Sequence, residues 1–192
     1  MARQRNGLCF SCRRKHEEKV SCAECGKPVS AKLARRREGL CLLCHAKRNP
    51  FFVLSNSLTE RVWGSPGGFN ALSDPEKLYY ALDLFQGEVN NGGFHQFFFN
   101  SSGSYYELIE SGLVTFDEPQ ALELLHQAKQ VVFPETLVPA DTETRREQMR
   151  HCAPSQLDAL DRRFYACADT LTTKLQAFAR DRGLLPAVSD EE

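Results

Sequence analysis

Glu88-Val89-Asn90-Asn91-Gly92-Gly93-Phe94-His95-Gln96-Phe97-Phe98-Phe99-Asn100 is the stretch on which the reading of this chain turns. Phe94, Phe97 and Phe98 recur at helical spacing, so one face of a short helix is wholly aromatic and must be buried. Asn tolerates left-handed backbone and bonds locally, and Gly adopts it freely. Asn90 to Gly93 therefore predicts a sharp turn that stops one helix and starts the next. Asn100, with Ser101-Ser102, ends that second helix. Two readings of the turn's polar groups stand. In one the amides satisfy backbone groups of a buried turn. In the other Asn90, Asn91, His95 and Gln96 line a small polar pocket.

Helical periodicity extends in both directions from this point. Upstream, Ser73-Asp74-Pro75-Glu76 carries a capping side chain and a Pro in the first turn. Leu78, Leu82, Phe85 and Val89 then form one face. Gly64-Ser65-Pro66-Gly67-Gly68 breaks an earlier helix predicted over about 52–62. Downstream, a helix runs from Ser104 to near Gly112. Asp117-Glu118-Pro119 opens another, with Leu122, Leu125 and Val132 inward. Thr142 to Arg150 forms a short polar helix. Leu157, Leu160, Phe164, Cys167, Leu171, Leu175 and Phe178 mark the apolar stripe of a last, long helix closed by Gly183 and Pro186. Period-2 alternation is nearly absent after residue 50, and a mainly α, multi-helix domain is expected.

Residues 1–49 have a different texture. They hold 13 Lys/Arg against 4 Asp/Glu, a net of +9, while residues 50–192 hold 11 against 21, a net of −10. Six of the 8 Cys fall in the first 44 residues as three Cys-x-x-Cys pairs. So short a segment cannot fold on its own apolar core and needs a staple. Cys22/Cys25 and Cys41/Cys44 have the spacing of a tetrahedral Zn²⁺ site closed by four thiolates, structural rather than catalytic. This resembles the broad zinc-ribbon and treble-clef class. Cys9 and Cys12 leave three alternatives open: a second site with His16, replacement of one pair around a single ion, or half of a decayed repeat. Arg35, Arg36 and Arg37, with Lys47-Arg48, are candidates for nucleic-acid backbone contact. A solvated face, or a face for the acidic domain, is the plainer reading.

The predicted organisation is a basic zinc module over 1–49, an acidic all-helical domain over 50–185 and an acidic tail over 186–192. The helical part resembles the family named after DNA mimic protein 19. The likeness lies in Asn90-Asn91-Gly92-Gly93-Phe94 with Gln96, Phe97 and Asn100, and in Tyr79 to Phe85 before them. It extends to Phe133-Pro134, to Val138 to Asp141 with Arg145-Arg146, and to Asp161 to Tyr165. It covers roughly residues 50–182, the zinc module being an addition to the family's core. The resemblance implies an all-helical fold and, from the name-giving member, imitation of DNA charge toward a DNA-binding protein.

The sequence offers little for catalysis. His151-Cys152 are helix neighbours that do not face each other. No Gly-rich phosphate loop or nucleophile elbow is present. Asp158 and Asp161, three apart, read as solvated surface charge. No run of about 18 apolar residues suggests a membrane span, and the first residues do not resemble an export signal. A cytoplasmic, non-enzymatic regulatory or interaction protein with a protein partner is the leading expectation. The alternatives are nucleic-acid binding through the zinc module and an enzyme with its site near Asn91 and His95.

Overall fold

A computed structural model describes residues 18–185, and the chain divides into two compact units, one ending at Val53 and the other beginning at Leu54. Cys9, Cys12 and the 186–192 tail lie outside the described residues.

The first unit is a hairpin followed by two single-turn helices. Strands β1 (Lys19–Ser21) and β2 (Pro28–Ser30) pair antiparallel, with Val20 opposite Val29. Helix α1 (Ala31–Arg35) follows directly, then α2 (Leu42–Ala46). Cys22, Leu40 and Cys44 form its small buried cluster, with Cys41 packed against them. Three residues cannot make a core of ordinary size, so the cysteine side chains themselves fill the centre.

Helix α3 (Pro50–Gly64) continues into the second unit, where Leu54 and Leu58 are buried. A 3₁₀ turn over Gly68–Ala71 leads to α4 (Asp74–Phe99), two helical segments joined at Gly92-Gly93. Its start is fixed by Ser73, whose backbone N–H donates to Glu76 Oε2 at 2.8 Å, and by Pro75 in the first turn. Helices α5 (Tyr106–Thr115), α6 (Pro119–Val132), α7 (Thr142–Gln148) and α8 (Asp158–Asp181) complete the bundle. Phe85, Phe94 and Phe164 meet at ring-centroid distances of 5.3 to 6.1 Å, joining α4 to α8. Phe98 against Phe133, at 5.3 Å edge to face, ties α4 to the end of α6. These rings are fully buried, and edge-to-face aromatic pairs add to the energy of area burial.

The turn expected at Asn90 to Gly93 is present: two helical segments of α4 meet at Gly92 (φ −152°) and Gly93 (φ 75°), both outside helical backbone. Two expectations are corrected. Gly112 does not end α5 but lies inside it, because a side chain there would collide with Leu78 and Leu82 of α4. Helix α5 also begins at Tyr106, after a 3₁₀ turn over Ser101–Tyr105. The stripe of α8 is narrower than its sequence suggests: Phe164, Leu171 and Leu175 are buried, while Leu160, Cys167 and Phe178 are half-buried and Ala168 and Ala179 take the inner positions.

Candidate functional site

The cysteines come together through three local devices. The hairpin reverses between β1 and β2, and Gly26 takes φ 70° there, a left-handed backbone suited to Gly. The reversal is closed by Gly26 N–H donating to Cys22 O and Cys22 N–H donating to Lys27 O, both at 2.9 Å. Cys41 then caps α2, its Sγ accepting from Cys44 N–H at 3.5 Å. Cys41 N–H in turn donates to Cys22 Sγ at 3.2 Å, tying the two pairs together.

The four ligand atoms of Cys22, Cys25, Cys41 and Cys44 all lie within 4.8 Å of one another, and the Sγ atoms of Cys25 and Cys41 are 3.7 Å apart. Zn–S bonds near 2.3 Å in a tetrahedron put sulfurs about 3.8 Å apart, so the cluster has the dimensions of a four-thiolate metal site. The backbone N–H groups of Cys25 and Cys41 hold the Cys22 thiol down at about 6, and that of Cys44 lowers Cys41. Burial pushes Cys44 the other way. Donors that stabilise thiolate are what a cation bound there would require of its surroundings.

Arg35 ends α1, Arg36 caps it and Arg37 follows; the first two are exposed and the third half-buried. None of the three side chains has a hydrogen bond or ion pair among the described residues, whereas Arg48 pairs with Glu38 at 3.0 Å.

The kink in α4 is the second constellation. Gly93 combines φ 75° with ψ −179°, a backbone region essentially confined to Gly. A Cβ on Gly93 would come within 2.2 Å of Asp161 Oδ2, and one on Gly92 within 2.1 Å of Gln96 Oε1. The kink interrupts the helical ladder, and Phe94 N–H donates instead to Asp161 Oδ1 at 2.9 Å. Asp161 thus caps the restarted helix from α8. Its burial raises its carboxyl above the usual range, while the Phe94 N–H pulls the other way. Reading Asp161 as solvated surface charge is therefore corrected.

Across the kink, Glu88 Oε2 accepts from Gln96 Nε2 at 2.5 Å and from Asn100 Nδ2 at 3.0 Å. Two of the signature amides are spent on this clasp. Asn90 and Asn91 are exposed, and their side chains make no hydrogen bond among the described residues. The predicted buried turn satisfied by asparagine amides is replaced by a clasp through Glu88 and Asp161. His95 is half-buried and stacks on Phe99 at 6.0 Å, and Arg146 lies over the same ring at 4.8 Å.

Arg145 is the residue whose role was hardest to read from sequence. It is fully buried. Its guanidinium donates to the carbonyls of Phe98 (2.7 Å), Asn100 (2.6 Å), Pro139 (2.7 Å) and Ala140 (3.0 Å). It also donates to the hydroxyls of Ser104 and Thr142, both at 3.2 Å. The end of the kinked helix, the 3₁₀ turn and the 134–141 loop are thereby held by one side chain. The only sequence signal was its place within the quoted resemblance.

With this geometry in place, a comparison with family models is decisive: the model for DMP19-like protein matches residues 70–182. The chain belongs to the DMP19-like protein family. The match takes in the kink, the Glu88 clasp, Asp161 and Arg145, and leaves out the cysteine module. Curated proteins and solved structures gave no match. Among the described residues, no helix of this DMP19-like chain is long and apolar enough to cross a membrane.

Proposed function

We propose that the cysteine cluster holds one structural Zn²⁺, and that the DMP19-like domain is a non-enzymatic docking unit for a basic protein partner, a DNA-binding protein engaged through DNA-like negative charge. The observation that carries this reading is the segregation of charge, +9 over residues 1–49 and −10 over residues 50–192. Acidic side chains including Glu60, Asp74, Glu107, Glu123, Glu135 and Glu143 are exposed. A surface of that sign repels phosphates and attracts Lys/Arg-rich surfaces, raising association rates at low salt. Four thiolates leave no open position for chemistry at the metal, so Zn²⁺ there acts as a fold staple.

The test is retention of partners on immobilised full-length protein, followed by elution with duplex DNA. A DNA mimic and DNA compete for one surface, so duplex should release the partner at a salt concentration that alone does not. Retained partners that duplex DNA fails to displace would refute mimicry. Arg35 and Arg36, exposed and unpaired among the described residues, support a second reading, in which the module contacts nucleic acid. Tight, sequence-selective binding of duplex by the full chain at about 0.15 M salt would favour it over the first.

A further inference from the structure

A cavity of about 390 Å³ opens between α5, α6 and the loop over 134–141, and its lining shares no residue with the cysteine cluster or the kink. Its polar wall comes from Tyr106, Glu107 and Glu110 on α5 and from His126 and Lys129 on α6, and its apolar wall from Leu137 and Val138. Glu110 Oε1 accepts from Tyr106 Oη at 3.2 Å and lies 2.7 Å from His126 Nε2. Burial, with Glu110 beside it, raises the Tyr106 phenol, which therefore stays protonated as a donor. Both bonds fall on one carboxylate oxygen, so the carboxylate is held in place while Oε2 carries no hydrogen bond among the described residues. Glu107 is exposed and unpaired among those residues. Leu137, 82% exposed on the loop, is an apolar side chain left in water at the rim.

We infer that this cavity is a receptor for a guanidinium side chain, an arginine of the basic partner. A guanidinium donates in a planar fork that matches a carboxylate edge, and its three-carbon stem packs on apolar and aromatic surface. Glu110, held by Tyr106 and His126, supplies an oriented acceptor, and Glu107 adds charge of the same sign. The Tyr106 ring, Leu137 and Val138 supply the apolar wall. Apart from the His126 imidazole on Glu110, the charged lining is two carboxylates, Glu107 and Glu110, against one ammonium, so the cavity favours a cation, and Lys129 opposes it. The inference rests on the reading of the domain as a dock for a basic protein, and names where one anchor of that partner would sit.

The test is an NMR titration of the ¹⁵N-labelled full chain with Nα-acetyl-arginine-N-methylamide, set against its uncharged isostere Nα-acetyl-citrulline-N-methylamide. The arginine probe should give saturable shifts at His126 and in the 134–141 loop, and the citrulline probe should bind about tenfold more weakly, as expected for loss of a charged hydrogen-bonding partner. Glu110→Gln should weaken arginine binding by about tenfold, and Lys129→Gln should strengthen it. Opposite signs from two neutralising changes on one cavity separate binding from damage to the fold. Equal binding of citrulline, or an unchanged constant in Glu110→Gln, would overturn the inference. If Glu110→Gln still retains a DNA-displaceable partner as well as wild type does, the cavity inference fails while the docking reading stands. If the arginine probe saturates but the full chain retains no basic partner, the docking reading fails and the cavity is still a guanidinium site.

Discussion

Replacing Arg145 tests whether one buried cation holds together the far end of the kinked helix. Arg145→Ala removes the donor to four carbonyl oxygens, those of Phe98, Asn100, Pro139 and Ala140. Asn100 O keeps the Gly103 N–H and Ala140 O keeps the Ser104 hydroxyl, so the carbonyls of Phe98 and Pro139 are the two left without a donor. At about 1–3 kcal/mol for each acceptor left without a partner, the loss is about 4 kcal/mol at mid-range, less whatever entering water recovers. Arg145→Lys keeps a charge but places all donors on one nitrogen. It can serve at most three acceptors and should cost about 2 kcal/mol. Packing gives no relief, because Gly103 lies against the guanidinium so closely that a Cβ there would meet Arg145 Nε at 2.7 Å. For a unit of about 140 residues, 1 kcal/mol corresponds to about 3 °C in melting temperature, so alanine should lower the transition by about 12 °C and lysine by about half that. Urea midpoints and calorimetry on the full-length chain would measure both. The reasoning is refuted if Arg145→Met, an apolar chain of similar length, melts within 1–2 °C of wild type. The carbonyls would then not need the cation, as happens when a buried ionic group is exchanged for a well-packed apolar one.

Other outcomes follow from the same geometry. Gly93→Ala forces a Cβ into a backbone region essentially closed to other residues and against Asp161, and should lose about 2–3 kcal/mol; a melting curve like that of wild type would show the kink to be unconstrained. The Glu76 carboxyl is held down to about 2, below its usual 4.5, chiefly by the Arg61 guanidinium. Its ionised form is thus favoured in the folded state, and its contribution is full above pH 4.5 and lost as pH falls toward 2. Urea midpoints should therefore fall more steeply between pH 5 and 3 in wild type than in Glu76→Gln, whereas parallel slopes would remove that role; the raised Asp83 and Asp161 act with the opposite sign but equally in both proteins. Elemental analysis of freshly reduced protein should find Zn²⁺, and Cys41→Ser should lose that metal while the α-helical signal of residues 54–185 persists. Metal content unchanged in Cys41→Ser would remove this cysteine from the site.

The sequence was most legible where one residue type admits one geometry. Paired cysteines two apart can converge on one ion, and the structure brings Cys22, Cys25, Cys41 and Cys44 together. Phe94, Phe97 and Phe98 at helical spacing could only be core, and they are fully buried. The same sequence was silent where a second element was needed to complete the local pattern. Asn-Asn-Gly-Gly reads as a break between two helices, and the break is there, but nothing nearby in sequence shows what receives the freed Phe94 N–H. Asp161, 67 residues away, does so and caps the second segment. Gly112 looked like a terminator because the leucines that forbid a side chain there lie on α4. Arg145 has no apolar neighbours in sequence to announce its burial; its six acceptors come from the tertiary fold.

That division bears on how the acidic charge can act. The 21 Asp/Glu of residues 50–192 are not equivalent carriers of a DNA-like surface. Glu76 is committed to Arg61 and to the start of α4, Asp83 to Ser55, and Glu88 to Gln96 and Asn100. Glu118 is committed to Thr170 and Lys174, and Asp161 to Phe94. These five carboxylates hold the fold, and their charge is met by donors from within the chain. What remains for a partner is the exposed set, in which Glu107 and Glu123 carry no ion pair among the described residues. Charge screened by about 8–10 Å of saline matters to a partner only at contact distance. On the docking reading proposed above, the net −10 therefore overstates what a partner would meet, and recognition would rest on the placement of carboxylates such as Glu107, unpaired among the described residues, beside surfaces such as the Tyr106–Leu137 cavity. The acid that holds the kink and the acid turned outward are different residues, so stability and the proposed docking can be tested separately.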